Sequence, residues 1–213
     1  MREPRVHIGE VLRNAFVFNF KNAQRCEVDE VALIKTVARL FALLEERGAD
    51  CVLVGGVALL QYVAGRNTED IDLILDAASL RRVPEIQVQT EDENFARATF
   101  AEIRIDILKT VHPLFERVRK SYSTVRKFQE RDIRCATVEG LLVLKLYSLP
   151  SLYRQGQLER AAVYESDVAS LLYRHPTNME PLFAELRPHL LGSDLSEVKK
   201  IVDEIRQREG RFK

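Results

Sequence analysis

The sequence predicts an α/β half, residues 1–136, followed by a helical half, residues 137–213. Three observations carry this division. Residues 51–75 read as strand, helix, strand. Residues 95–108 alternate apolar and polar side chains, as a hairpin does. From Val138 onward the alternation disappears and apolar residues recur at helical spacing.

The elements follow in order. Val11, Leu12, Phe16 and Phe20 suggest a short amphipathic helix or an arm packed on the core. Residues 28–47 place Val31, Leu33, Ile34, Val37, Leu40, Phe41 and Leu44 at helical spacing, with Asp29 near the N-cap and Gly48 as the stop. Residues 51–54 form a short apolar strand that ends on Gly55 and Gly56. A helix-like stretch, 57–63, is broken by Gly65, and residues 68–75 read as the next strand. In that strand Asp70 and Asp72 share one face, while Ile71, Leu73 and Leu75 take the other. Residues 77–84 look like a connection with a helical turn, 86–89 a short strand and 90–94 a charged loop. Residues 95–100 and 102–108 form two strands. In the second, Ile103, Ile105 and Ile107 face one way, and Glu102, Arg104 and Asp106 the other. Residues 122–127 and 133–135 add irregular extended segments.

In the helical half, Leu141, Leu142, Leu144, Leu146 and Leu149 fit a helix ending at Pro150. Residues 158–173, 181–190 and 195–205 give three more, the last capped by Ser193 or Asp194 with Glu197 in its first turn.

The chemistry concentrates at residues 52–75. Two carboxylates one strand repeat apart repel unless a positive charge lies between them, and a hard divalent cation with oxygen ligands is the usual answer. The Gly55-Gly56 pair lets backbone approach closely and leaves N–H groups at a helix start, where phosphate is favoured. Asp106 becomes a third carboxylate if its strand neighbours that of Asp70 and Asp72. A lone Gly-Gly is usually a turn, and a lone Asp-x-Asp usually a surface strand edge or N-cap; their combination at this spacing is much less common by chance.

Composition bounds the rest. The chain has 213 residues, 46% hydrophobic and 30% charged, ordinary for a soluble globular protein. Its formal net charge is zero, so the molecule as a whole is not an electrostatic nucleic-acid binder. Lys109, Arg117, Arg119, Lys120, Arg126, Lys127, Arg131 and Arg134 cluster in sequence. They read either as a basic face for phosphate or RNA or as an ordinary solvated surface. Cys26, Cys51 and Cys135 show no metal-ligand spacing and read as buried free thiols in a reducing cytosol. No apolar run spans a bilayer, and the N-terminus lacks a secretory signal, so the expectation is a cytoplasmic protein with no membrane partner. His7, His112, His175 and His189 share no spacing and read as structural or surface residues.

Gly55-Gly56, a helix, Asp70-Ile71-Asp72 on a strand and Asp106 on a later strand together resemble the nucleotidyltransferase superfamily, the polymerase-beta-like transferases. More narrowly, the chain resembles the AbiEii-type transferases of bacterial abortive-infection and toxin–antitoxin systems. Gly65-Arg66-x-Thr68 ahead of the acids, Leu141-Leu142-x-Leu144-Lys145 on one helix, and Asp167 with Leu171-Leu172 on the next carry that likeness. It departs at Gly56, where many relatives have Ser, and at Ser166, where they have a basic residue.

The resemblance implies a nucleotidyltransferase fold: a mixed β-sheet flanked by helices, then a C-terminal helical region. It implies a Mg-dependent transfer of a nucleoside monophosphate from a nucleoside triphosphate such as ATP to an acceptor hydroxyl. Two Mg²⁺ would be held by Asp70, Asp72 and Asp106. The triphosphate would be held by Gly55, Gly56, Lys145 and Arg66, with Thr68 and Asp167 in the same nucleotide site. A tRNA end, a protein hydroxyl or a small molecule would be the acceptor, and an antitoxin protein would be a partner of a toxin. The alternative is a catalytically weak nucleotide-binding or protein-interaction module on the same fold. Residue by residue, Lys145 also reads as a snorkelling lysine, Arg66 as solvent-facing and Asp167 as a helix-face acid.

Overall fold

The computed structural model describes residues 30–63, Thr68, 70–128 and 131–210. Arg66, Gly65, Cys26, Asp29 and the apolar residues of the N-terminal stretch lie outside the described residues. The chain divides into two compact units, the first ending at Ala136 and the second beginning at Thr137.

In the first unit, α1 (Glu30–Glu46) buries Val37, Leu40 and Leu44. Gly48, at φ +58°, ends it. The Gly48 N–H donates to the Glu45 carbonyl and the Ala49 N–H to the Leu44 carbonyl, the paired bonds of a Schellman stop. Then come β1 (Val52–Val54), the single-turn α2 (Gly55–Leu59) and β2 (Asp70–Leu75). The helical stretch thus begins on Gly55 itself and is shorter than its apolar spacing suggests. After α3 (Ala77–Arg81) follow β3 (Gln87–Glu91), β4 (Phe95–Phe100), β5 (Ile103–Lys109), α4 (Pro113–Ser121), β6 (Ser123–Phe128) and β7 (Arg131–Ala136).

The strands form one mixed sheet in the order β3-β4-β5-β2-β1-β7-β6. β2 runs parallel to β5 and β1 parallel to β7, and the other neighbours are antiparallel. A parallel pair needs a crossover rather than a tight turn. The segments between β2 and β5, and the long return from β1 to β7, supply them. One face of the central strands buries Ile71, Leu73, Ala96, Ala98, Ile103, Ile105 and Ile107. α4 packs against β2 and β5 through this unit's core, with Leu114, Phe115 and Val118 buried. The other face carries Asp70, Asp72, Arg104, Asp106, Arg97 and Thr99.

Several sequence expectations change. β3 continues to Glu91, where a charged loop was expected, because a bulge between Val88 and Thr90 keeps it in register with β4 and Lys109 grips Glu91 at 2.8 Å. The turn that follows is held by Asp92, whose carboxylate accepts the Asn94 and Phe95 N–H groups. Glu102 sits in the β4–β5 turn, outside the strand that carries Arg104 and Asp106. The segments around 122–127 and 133–135 are regular antiparallel strands of the same sheet. α4 was not expected at all.

The second unit packs α5 (Val138–Arg154), α6 (Leu158–Arg174), α7 (Met179–Leu186) and α8 (Gly192–Gly210) against one another. Thr137 caps α5 by accepting the Gly140 N–H. Pro150 lies inside α5 rather than ending it. A helix-interior proline costs about 3 kcal/mol. Burying Leu146, Leu149 and Leu152, at roughly 1.5–3 kcal/mol each, outweighs that. The stop comes at Gly156, at φ +67°, where Gly156 and Gln157 donate back to Tyr153 and Leu152. α7 begins after an Asn178 cap and gives way to a 3₁₀ turn, Arg187–His189. α8 starts at Gly192, so Ser193 and Asp194 lie inside its first turn instead of capping it; Asp194 pairs with Arg154 at 2.8 Å.

Candidate active site

The two strands that carry the acids are neighbours. β2 and β5 align Asp72 opposite Asp106 and Asp70 opposite Arg104. Opposed residues in paired strands point to the same face, so all three carboxylates and Arg104 stand together. β4 adds Arg97 opposite Asp106 and Thr99 opposite Arg104. Apolar burial of Ile71, Leu73, Ile105 and Ile107 on the far side dictates which face the acids take.

On the other flank, β1 aligns Val54 opposite Asp72, and the chain then turns at Gly55, at φ +63°. Any side chain there would place its Cβ 1.8 Å from Asp72 Oδ2 and 2.7 Å from Asp72 Cβ. Gly55 is therefore required both by its backbone conformation and by the approach to Asp72. The Gly56 N–H points at Asp72 Oδ2, 3.4 Å away. Thr68, buried, donates from Oγ1 to the Asp70 carbonyl at 3.3 Å, at the entry to β2.

Two cations lie against the acids. Arg104 Nε is 2.8 Å from Asp70 Oδ1, and Arg97 Nε is 3.9 Å from Asp106 Oδ1. These arginines were not singled out from the sequence. Their signal was strand alternation: each sits on the same face as the acids. As a donor set, three carboxylates on one half-exposed face suit a hard divalent cation. Among the described residues, however, no three His, Cys, Asp or Glu side chains are gathered as a metal-holding group. Asp70 and Asp106 are turned toward guanidinium groups, and convergence on a cation requires them to turn away.

The other expected residues sit elsewhere. In the helical unit the Lys145 ammonium donates to Asp167 Oδ2 at 2.6 Å and lies 4.2 Å from the centre of the Tyr164 ring. Lys145 is 4% exposed and Asp167 5%. The basic cluster proves to be largely paired: Arg119 with Asp50 and Glu116, Lys120 with Glu116, Lys127 with Asp132, Arg131 with Glu45 and Arg134 with Asp50. Arg117 and Arg126 lie over the rings of Tyr122 and Tyr62. That is an ion-paired surface of the sheet's β6–β7 end. Burial pushes the Cys51 and Cys135 thiols up to about 12, which keeps both neutral and inert.

No protein-family model and no curated protein sequence matches the chain. Solved structures do. An antigenic nucleotidyltransferase-like protein from Paracoccidioides brasiliensis aligns with a TM-score of 0.50 at 17% identity, covering 79% of this chain and 92% of that one. The solution structure of the antibiotic-resistance factor ANT(2'')-Ia aligns with a TM-score of 0.53 at 12% identity, over 85% and 95%. Its crystal structure in complex with adenylyl-2''-tobramycin aligns with a TM-score of 0.52 at 13% identity, over 84% and 99%. The chain has a nucleotidyltransferase-like fold. The mixed sheet and the helical region expected from the resemblance are both present. Among the described residues, no helix is long and apolar enough to cross a membrane.

Proposed function

We propose that the chain is a nucleotidyltransferase that moves a nucleoside monophosphate from a nucleoside triphosphate to an acceptor hydroxyl and releases pyrophosphate. The observation that carries this reading is the register of Asp72 against Asp106, with Gly55 pressed against Asp72, on a sheet of this fold. Asp70, Asp72 and Asp106 would hold Mg²⁺, which when bound neutralises triphosphate charge and lowers the pKa of a hydroxyl. At Gly55 and Gly56 the triphosphate would meet backbone N–H groups beside the Asp72 carboxylate, toward which the Gly56 N–H points. The acceptor oxygen bonds the α-phosphorus, the bond from that phosphorus to the bridging oxygen breaks, and the hydroxyl proton passes to Asp106 as general base. Positioning accounts for most of the rate. Thr68 supports the start of β2. The resemblance also offers Arg66, Lys145 and Asp167 as nucleotide residues; Asp167 would act there only through Lys145, which could reach a triphosphate only if their ion pair opened.

The motifs shared with AbiEii-type transferases extend the proposal to a cytoplasmic toxin that uses ATP or another nucleoside triphosphate and is held by an antitoxin. Induced expression in a bacterial host should then arrest growth, and Asp72→Asn should relieve the arrest. A second reading, a catalytically weak nucleotide-binding or interaction module, draws support from the arginines that occupy Asp70 and Asp106. Pyrophosphate release in Mg²⁺, with cell extract as acceptor source, separates the two. Wild type should release it, and Asp70→Asn and Asp72→Asn should each abolish release while keeping the wild-type circular dichroism spectrum. Wild-type turnover in either variant removes the catalytic assignment. Nucleotide binding with no release under any acceptor selects the second reading.

A further inference from the structure

The acids divide the polar face of the sheet into two unlike flanks. Toward β1 lie Gly55 and Gly56, backbone without side chains. Toward β5 and β4 lie Arg104 and Arg97, whose side chains are 59% and 71% exposed. Beside them Thr99, opposite Arg104 in register, accepts a hydrogen bond from Gln89. If the triphosphate occupies the glycine flank, as the nucleotidyltransferase reading has it, the arginine flank is where the acceptor must come, next to Asp106.

We propose that the acceptor carries a phosphate group, and that Arg97 and Arg104 grip it. The chemistry of the face supports this in three steps. Guanidinium groups offer forked donors that match a phosphate bidentately. In this structure both point at carboxylates, Arg104 at Asp70 and Arg97 at Asp106. Ion pairs this exposed are weak and exchange readily. Among the described residues of this face the three acids outnumber the two arginines by one, so a single divalent cation on the acids would reverse its sign. Asp70 and Asp106, if they held such a cation, would no longer hold the guanidiniums, which would then be open to an anion. Without it the acids keep the two arginines paired. A polycationic acceptor, such as an aminoglycoside, would meet two like charges here and be disfavoured.

The phosphate can belong to a nucleic-acid strand or to a small sugar phosphate, and the two are distinguished by probe. Anisotropy of a short fluorescent single-stranded RNA, and direct calorimetric titration of ribose 5-phosphate, would be measured in Mg²⁺ on wild type, Arg97→Gln and Arg104→Gln. Nucleoside triphosphate affinity and thermal melting would be measured beside them. At least one probe should bind wild type and lose on the order of tenfold affinity in each variant. Binding should also weaken when Mg²⁺ is withheld. Triphosphate affinity should stay within a few-fold and melting should not move, because both arginines are exposed and lie off the glycine flank. Loss with RNA alone identifies a strand, and loss with ribose 5-phosphate a small acceptor; either result supports the proposal. Equal binding to all three proteins, or no binding of either probe while triphosphate binds, overturns it and leaves the nucleotidyltransferase reading standing. Failure of triphosphate to bind wild type removes both together.

Discussion

Gly55→Ala should destabilise the α/β unit severely, and the cost can be worked out from the contact it creates. The new Cβ would stand 1.8 Å from Asp72 Oδ2, 2.3 Å from Cγ and 2.7 Å from Cβ. Rotating the carboxylate removes the first two clashes. The third involves the Asp72 Cβ, which is fixed to β2, so the strand or the turn must move. Overpacking of this kind costs typically about 1–3 kcal/mol. The backbone adds its own cost, because an L-residue at φ +63° is disfavoured by roughly 1–2 kcal/mol. The sum is about 2–5 kcal/mol, and for a chain of this size each kcal/mol lowers Tm by roughly 2–4 °C. Two other glycines serve as controls. At Gly156, φ +67°, an added Cβ would meet nothing within 4 Å, and at Gly48, φ +58°, it would meet only Arg82 Nη1 at 3.6 Å. Gly156→Ala and Gly48→Ala should therefore show the backbone cost alone. Calorimetry of the three variants isolates the Asp72 contact as the difference. If Gly55→Ala melts no lower than Gly156→Ala, the approach of the β1–α2 turn to Asp72 is wrong, and with it the glycine flank of the site.

Other outcomes follow from the same geometry. Lys145→Met should cost roughly 3–5 kcal/mol by urea unfolding, because it strands a buried Asp167 carboxylate; Lys145→Met with Asp167→Leu should recover most of it, and an unchanged midpoint in the single variant would show that the pair is not buried. Glu116 is held down at about 2, chiefly by the Arg119 hydrogen bond, against its ordinary 4.5. Its contribution is thus fully present above about pH 4.5 and lost as pH falls toward 2. In a pH series of melting temperatures, Glu116→Gln should flatten that acid limb, and an identical limb would refute the assignment. Iodoacetamide at mildly alkaline pH should leave Cys51 and Cys135 unmodified in the native protein and label both in denaturant, since both thiols titrate near 12 in the fold.

The acids were legible in sequence because strand alternation is local. Asp72 and Asp106 each sit between apolar residues that must face the core, Asp70 stands two positions before Asp72 on the same side, and burial on one side dictates the other. What pairs their strands is not local. β2 and β5 are separated by a helix and a hairpin, and nothing in either strand specifies a parallel register of Asp72 on Asp106. The β6–β7 hairpin read only as irregular extended segments for a different reason: Ser123–Phe128 is a polar strand at the sheet's edge, with Val125 exposed, so it shows little alternation. α4 escaped because only Leu114, Phe115 and Val118 mark its buried side within nine residues, and the charged residues between them read as surface. Arg97 and Arg104 were passed over because an exposed arginine on a strand looks the same in sequence whether it faces solvent or an acid across the sheet.

Lys145 and Asp167 show the limit of a motif most clearly. Each was assigned to the nucleotide site by resemblance, one from each of two successive helices. In the structure they meet each other, 2.6 Å apart and almost wholly buried, with the Tyr164 ring over the ammonium. A lysine within the apolar run of α5 is tolerable because α6 brings a carboxylate to it, and an acid buried on α6 is tolerable because the lysine is there. The two positions therefore constrain one another through the packing of α5 on α6, whatever either does for a ligand. A phosphate contact by Lys145 would have to compete with a desolvated carboxylate already in place. A loss of nucleotide affinity in Lys145→Ala would consequently report ligand contact only if the double variant with Asp167→Leu, its core restored, still failed to bind.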